Sequence, residues 1–295
     1  MTTIVVHGTL AYGGSWYQSS WGVDGFLTGL QTGMLDASGW HDIWAVNGNP
    51  VDLYPGLGGV FEWNGLAEGI YRGIAASELA EYLNRVADLT DERIRIIAHS
   101  HGCNVVKLAS SLSTLSPAVA IDRAVFLACP HFYEDEYVQE ELSMLDRLDI
   151  RKVAQAYKAT RRRYRYRVDP QRFGRILNIY CEKDKVQIDL AQSLSGGRVP
   201  LTGSFLENIF KQLTDGIHEL PIATRYDTDQ QAAHLYENLE VHVEDRCSGL
   251  KTHSVMHGKY IGAIAGMWLN SGETMTSLLR KHGDLRVLPC EDTGD

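Results

Sequence analysis

The chain lacks any long hydrophobic run. Its longest apolar stretch, Ile261 to Leu269, falls far short of the roughly 20 residues that a membrane-crossing helix needs. Positive charge is scarce as well: 28 Lys and Arg stand against 37 Asp and Glu, a net charge of −9. So acidic a chain suits neither nucleic acid nor an anionic membrane, and neither is an expected partner. Cysteine is sparse, odd in number and never arranged as Cys-x-x-Cys. The five are Cys103, Cys129, Cys181, Cys247 and Cys290. That excludes a disulfide framework and predicts reduced thiols. Met1 to Val6 has no basic region leading into a long apolar segment. It does not read as a secretory signal, and a cytoplasmic location is expected. Internal repeats and low-complexity tracts are also missing.

What is present suits a globular domain. The 295 residues are 44% hydrophobic and 22% charged, which is ample for a core. Apolar runs of strand length recur at Ile4 to Val6, Asp42 to Val46, Arg93 to Ala98, Arg123 to Ala128, Arg175 to Tyr180 and Leu239 to Val243. Helical spacing of apolar residues separates them, over Arg72 to Ala87, Gly102 to Leu112 and Ser254 to Leu269. Strands alternating with helices predict an α/β domain with a mostly parallel sheet of about six strands, covered on both faces. Two stretches break the alternation. Ala11 to Trp63 is rich in Gly and Trp and reads as long loops. Pro130 to Arg172 reads as a helical lid or cap between the fourth and fifth strands. The polar tail from Glu291 to Asp295 is expected to fray.

Four segments carry chemistry. In Ile96-Ile97-Ala98-His99-Ser100-His101-Gly102 a strand ends, a serine sits on the turn and a helix begins. Such a turn lifts a serine hydroxyl clear of the sheet, and the next backbone N–H points at whatever the serine attacks. The plain alternative is a serine that caps the helix. His7-Gly8-Thr9 ends the first strand, and its glycine permits a tight turn that leaves the Thr9 N–H free. Thr9 and His101 would then supply the two backbone donors of an oxyanion hole, with the His7 side chain holding the loop. The fifth strand runs into Glu182-Lys183-Asp184-Lys185. A carboxylate there can orient an imidazole. Asp184 is the choice, Glu182 and Asp189 are the spares, and surface pairing of Asp184 with Lys183 or Lys185 is the plain alternative. After the sixth strand comes Lys251-Thr252-His253-Ser254-Val255-Met256-His257. His253 is placed on the loop before an N-cap at Ser254 and is the preferred base. His257, a turn into the helix, is the alternate.

Ser100, Asp184 and His253 thus follow strand ends in the order nucleophile, acid, base. With Val5-Val6-His7-Gly8-Thr9, Ala98-His99-Ser100-His101-Gly102, Glu182-Lys183-Asp184, Thr252-His253-Ser254 and Phe61-Glu62-Trp63-Asn64-Gly65, the chain resembles lipase- and esterase-type α/β-hydrolases from residue 4 to about 270. It departs from them at Ala98, where glycine is usual, and at Cys103, where many carry a second glycine. It also starts at the oxyanion-hole strand, without the first two strands of larger members. The resemblance implies a single α/β-hydrolase domain that hydrolyses carboxylic esters through an acyl-enzyme on Ser100, without a cofactor. Thioesterase, amidase or acyltransferase chemistry would use the same triad.

Other features have two readings each. His99 and His101 form a His-x-His pair that could begin a metal site, or pack beside the serine. Arg161 to Arg167 interleaves arginine and tyrosine; it would meet an anionic substrate group, or pair with the acids of Glu134 to Glu141. Trp16, Tyr17, Trp21 and Trp63 would line an acyl pocket or fill the core. A binding protein that keeps the hydrolase fold without its chemistry is the rival outside enzymology.

Overall fold

In a computed structural model of the chain, residues 2–8, 26, 29–30, 43–46, 63, 69–89, 91, 93–132, 136–139, 161–184, 222–223, 232–243, 250–256, 258–282 and 287–288 are described. The strands are β1 Thr2–Val6, β2 Ile43–Val46, β3 Ile94–His99, β4 Ile121–Leu127, β5 His131–Phe132, β6 Glu136–Gln139, β7 Arg161–Tyr164, β8 Phe173–Tyr180, β9 Ile222–Ala223, β10 Tyr236–Glu240, β11 His242–Val243 and β12 Val287–Leu288. The helices are α1 Gly69–Leu89, α2 His101–Ser110, α3 Leu250–Val255, α4 Lys259–Ser271 and α5 Met275–His282.

The main sheet has six strands in the order β2-β1-β3-β4-β8-β10, and every neighbouring pair is parallel. Alternation along each strand divides the core in two. Ile4, Val6, Ile96, Ala98, Ala124 and Phe126 face the layer that holds Leu79 and Leu83 of α1 and Val105 and Ala109 of α2. Val5, Ile97, Val125, Leu127, Leu177 and Ile179 face the other layer, with Ile261, Ile264 and Trp268 of α4. A strand buried on both sides reads as continuously apolar, as β3 and β4 do. The result is an α/β fold with helices on both faces of a parallel sheet.

Parallel pairing puts the carboxyl ends of all six strands on one edge. The strand order reverses between β1 and β3: the chain leaves β1 toward β2 on one side, and leaves β3 toward β4 on the other. At such a switch point the loops diverge and open a crevice, the usual ligand position in open α/β sheets. His7 and Gly8 follow β1 there, and Ser100 follows β3.

Two expectations differ from the structure in part, and one element was not foreseen. The expected helical lid over 130–172 falls mostly outside the described residues, and its described parts include three short strands. The strand β5 pairs antiparallel with β9, and β6 pairs antiparallel with β7. The register sets Glu136 opposite Tyr164 and Gln139 opposite Arg161. Three consecutive arginines in β7 hide the alternation that marks a strand. The single helix expected over Ser254 to Leu269 is two, α3 and α4. The chain leaves the helical path at Gly258, which caps α4 in an extended conformation (φ −83°, ψ 174°). Its apolar stripe reads straight through because Met256, Ile261 and Ile264 pack on the same layer. Finally, α5 follows an αL glycine, Gly272, which ends α4. Cys103, Cys129 and Cys181 are buried. No helix among the described residues is long and apolar enough to cross a membrane. The long-loop assignment falls mostly outside the described residues, as do Cys247, Cys290 and the tail.

Candidate active site

Ser100 stands between β3 and α2 with φ 51° and ψ −130°. A side chain with Cβ rarely adopts a positive φ, and such a position costs on the order of 1–3 kcal/mol. The surroundings impose it. The Ser100 N–H donates to the Leu127 carbonyl of β4 at 2.8 Å, and the Ser100 carbonyl accepts from the Cys103 N–H at 3.0 Å. A capping serine would have extended backbone and an Oγ bonded to the first helical N–H groups. Ser100 has neither, since its side chain makes no cap hydrogen bond. The capping alternative therefore fails.

Two glycines let the pieces meet. A Cβ on Gly8 would lie 2.7 Å from the Ser100 Cβ and 2.9 Å from the His99 carbonyl oxygen. A Cβ on Gly102 would lie 2.3 Å from the His7 carbonyl oxygen and 2.8 Å from that of Val6. The β1 loop thus rests directly on the serine turn. Of the two expected oxyanion donors, the His101 N–H opens α2, where backbone N–H groups have no intrahelical acceptor. Thr9 lies outside the described residues.

His7 braces this loop. Its Nε2 lies 3.2 Å from the Trp63 carbonyl oxygen, and Trp63 Nε1–H donates back to the His7 carbonyl at 3.1 Å. The two rings stack at 5.2 Å. Trp63 is therefore a buried brace within the core; Trp16, Tyr17 and Trp21 lie outside the described residues. Burial drives the His7 pKa down to about 4, against a partial rise from its bond to the Gly8 carbonyl.

Asp184 follows β8 in a turn, its N–H bonded to the Cys181 carbonyl at 3.0 Å. It is fully buried and accepts from His253 Nδ1 at 2.7 Å. The surface-pairing alternative therefore fails. Glu182 is exposed, and Asp189 lies outside the described residues. A carboxylate is an acceptor, so the His253 proton resides on Nδ1 and Nε2 keeps its lone pair. His253 sits within α3 rather than on a loop before it, and Ser254 is interior to that helix. The boundary was misjudged because Leu250 to Val255 has too few apolar residues to show a period. His257 lies outside the described residues. The His99 ring packs 4.7 Å from that of His253.

His99 and His101 do not act as a pair. His99 lies against His253 and Gly8. The His101 Nδ1 instead meets Arg72 Nη1 at 3.5 Å and Asn104 Nδ2 at 3.3 Å. The Arg72 guanidinium thus stands beside the His101 Nδ1, while His99 lies elsewhere. Among the described residues no three His, Cys, Asp or Glu come together as a metal site.

Sequence reasoning missed the polar cluster behind the elbow. Arg72 is fully buried; its Nε donates to Tyr166 Oη at 2.8 Å. Lys107, also fully buried, donates from Nζ to His131 Nδ1 at 2.9 Å, and His131 Nε2 donates to Asn178 Oδ1 at 3.1 Å. The available signal was polar residues set in apolar patterns, such as Asn178 within Ile-Leu-Asn-Ile-Tyr. Within Arg161 to Arg167, Tyr166 is buried while Arg165 and Arg167 are exposed.

No protein-family model matches the chain, and no curated protein matches its sequence. Among solved structures it is similar to a protein of Lactobacillus plantarum WCFS1, provisionally described as a cell surface hydrolase. The likeness has a TM-score of 0.40 and 13% identity, over 97% of this chain and 98% of that one. At that level it says nothing of what this chain does.

Proposed function

We propose that the chain is a serine hydrolase of carboxylic esters, with Ser100 as nucleophile, His253 as base and Asp184 as the group that orients it. The observation that carries this reading is the 2.7 Å bond between Asp184 and His253 Nδ1, on the sheet edge where the strained Ser100 turn stands. Asp184 and His253, 69 residues apart in sequence, meet there, and Ser100 follows a neighbouring strand of the same edge.

Ser100 Oγ attacks the acyl carbon while its proton passes to His253 Nε2. The carbonyl oxygen becomes an oxyanion, received by the backbone N–H groups of His101 and Thr9. The bond to the leaving alkoxide breaks, and the proton on His253 passes to that oxygen. Water then attacks the acyl carbon while His253 takes its proton; the bond to Ser100 Oγ breaks, His253 returns the proton to Oγ, and the carboxylic acid leaves. Asp184 holds the imidazole in the tautomer that each step needs. Thioester, amide and acyl-transfer chemistry differ from this only in the leaving group or the acceptor.

Turnover of short p-nitrophenyl esters tests the reading. The Ser100→Ala variant is expected to lose at least about 10⁴ in kcat/KM while keeping the wild-type melting profile. Equal turnover by the two proteins would overturn the assignment. Wild-type protein inactive on esters, thioesters and amides alike would point to a binding protein on this fold.

A further inference from the structure

His101 carries an N–H for which the described residues offer no acceptor. The residue is 2% exposed. Its Nδ1 faces Asn104 Nδ2 and Arg72 Nη1. The orientation of the Asn104 amide is fixed independently: Nδ2 also donates to the Pro130 carbonyl at 3.1 Å, and Oδ1 accepts from Lys107 Nζ at 3.4 Å. Reversing the amide would set oxygen against oxygen and nitrogen against ammonium. Amide and guanidinium nitrogens only donate, so Nδ1 is an acceptor without a proton. Burial, and then the charge of Arg72, hold the imidazole pKa well below its ordinary value, so the ring is neutral. Its one proton is on Nε2, which has no hydrogen-bond partner among the described residues.

An unmet buried donor costs about 1–3 kcal/mol, and folded proteins leave few of them. This one cannot turn to find a partner. The ring stacks on Phe132 at 6.0 Å, and Arg72, bonded to its Nδ1, lies over the Phe132 and Tyr166 rings at 5.7 and 5.2 Å. The two ring nitrogens point to different sides, so Nε2–H faces away from Arg72. His101 directly follows Ser100 in the turn into α2.

Resting on the esterase reading of Ser100, we propose that the Nε2–H of His101 selects substrates by donating to an oxygen acceptor other than the reacting carbonyl. The favoured esters then carry an ether, hydroxyl or keto oxygen near the ester bond, and plain alkyl esters of the same length are poorer. Arg72 and Asn104 act as positioning residues that hold the donor tautomer.

The test uses matched pairs: p-nitrophenyl methoxyacetate against butyrate, and 3-methoxypropionate against valerate. The ratio of kcat/KM within each pair is compared among wild type, His101→Phe and His101→Gln, which cancels the intrinsic reactivity of each ester. The phenyl ring keeps the stacking and removes the donor; the glutamine amide restores an N–H. The oxygenated-to-alkyl ratio is expected to fall roughly tenfold in His101→Phe and to recover in His101→Gln. An unchanged ratio overturns the proposal. So does an equal loss on both members of a pair, which would assign the donor to the reacting carbonyl. Should His101→Phe fail to fold, Asn104→Asp serves instead. Its carboxylate draws the proton to Nδ1 and makes Nε2 an acceptor, and the ratio must fall there too. Fluorophosphonate labelling of the wild type separates the two failures. Labelling with unchanged ratios removes only the selecting role, whereas no labelling removes the esterase reading itself.

Discussion

A serine at φ 51° whose side chain makes no bond to its own helix is held for a reason other than capping. Its partners at the sheet edge give each residue a measurable role. Asp184 is buried, and its bond to His253 Nδ1 sets the tautomer. Asp184→Asn presents an amide that can donate to Nδ1 and so favours the wrong tautomer. We expect a loss of about 10⁴ in kcat with little change in KM, read on the same esters. A loss under tenfold would remove Asp184 from the mechanism. His7 makes a different prediction. Burial lowers its pKa to about 4 from 6.5. Between those values the unfolded chain binds a proton that the folded chain refuses. Stability is therefore intact above pH 6.5, falls as pH drops toward 4, and levels off below. The loss from this residue is roughly 3 kcal/mol. Urea midpoints at pH 7 and pH 4 should differ less in His7→Gln than in wild type. Equal drops would exclude His7 as a source of acid lability. Ser100 and Asp184 stood out as candidates because each follows an apolar run that ends sharply, whereas His253 lies in a short helix with no apolar period to place it. Arg72, Asn104 and Lys107 were not, because a polar residue on a helix reads as solvated until the fold places it inside.

At the scale of elements, the active edge depends on how closely β1 and α2 approach. Gly102 sits against the backbone of Val6 and His7, neither of which can swing aside as a side-chain tip would. Gly102→Ala forces α2 away from β1. We expect a cost of about 1–3 kcal/mol in thermal or urea unfolding. The loss in kcat/KM should be larger, about 10²-fold, because the two sides of the oxyanion site separate. A stable variant with full activity would mean that the His7–Gly8 loop takes no part in catalysis. The six core strands were readable to within a few residues from β-branched runs such as Ile-Val-Val and Ile-Arg-Ile-Ile. The β6–β7 pair was not: Glu136 to Gln139 and Arg161 to Tyr164 owe their pairing to a distant partner rather than to an alternating pattern. The break at Gly258 was hidden because α3 and α4 share one buried layer.

For the whole molecule, topology does what local sequence cannot. The order β2-β1-β3-β4-β8-β10 puts the loops after β1, β3, β8 and β10 on one edge and opens them at the β1–β3 reversal. Alternating strands and helices made a parallel sheet legible, and with it the shared edge. Strand order and contacts between residues as distant as Asp184 and His253 required the fold. The central claim is that this edge makes Ser100 a nucleophile. It is tested most directly by treating the protein with a fluorophosphonate and mapping the adduct by peptide mass spectrometry. The account predicts one adduct, on the peptide containing Ser100, abolished in Ser100→Ala and formed far more slowly in His253→Ala. No adduct on the folded wild type, or the same adduct in Ser100→Ala, would contradict it.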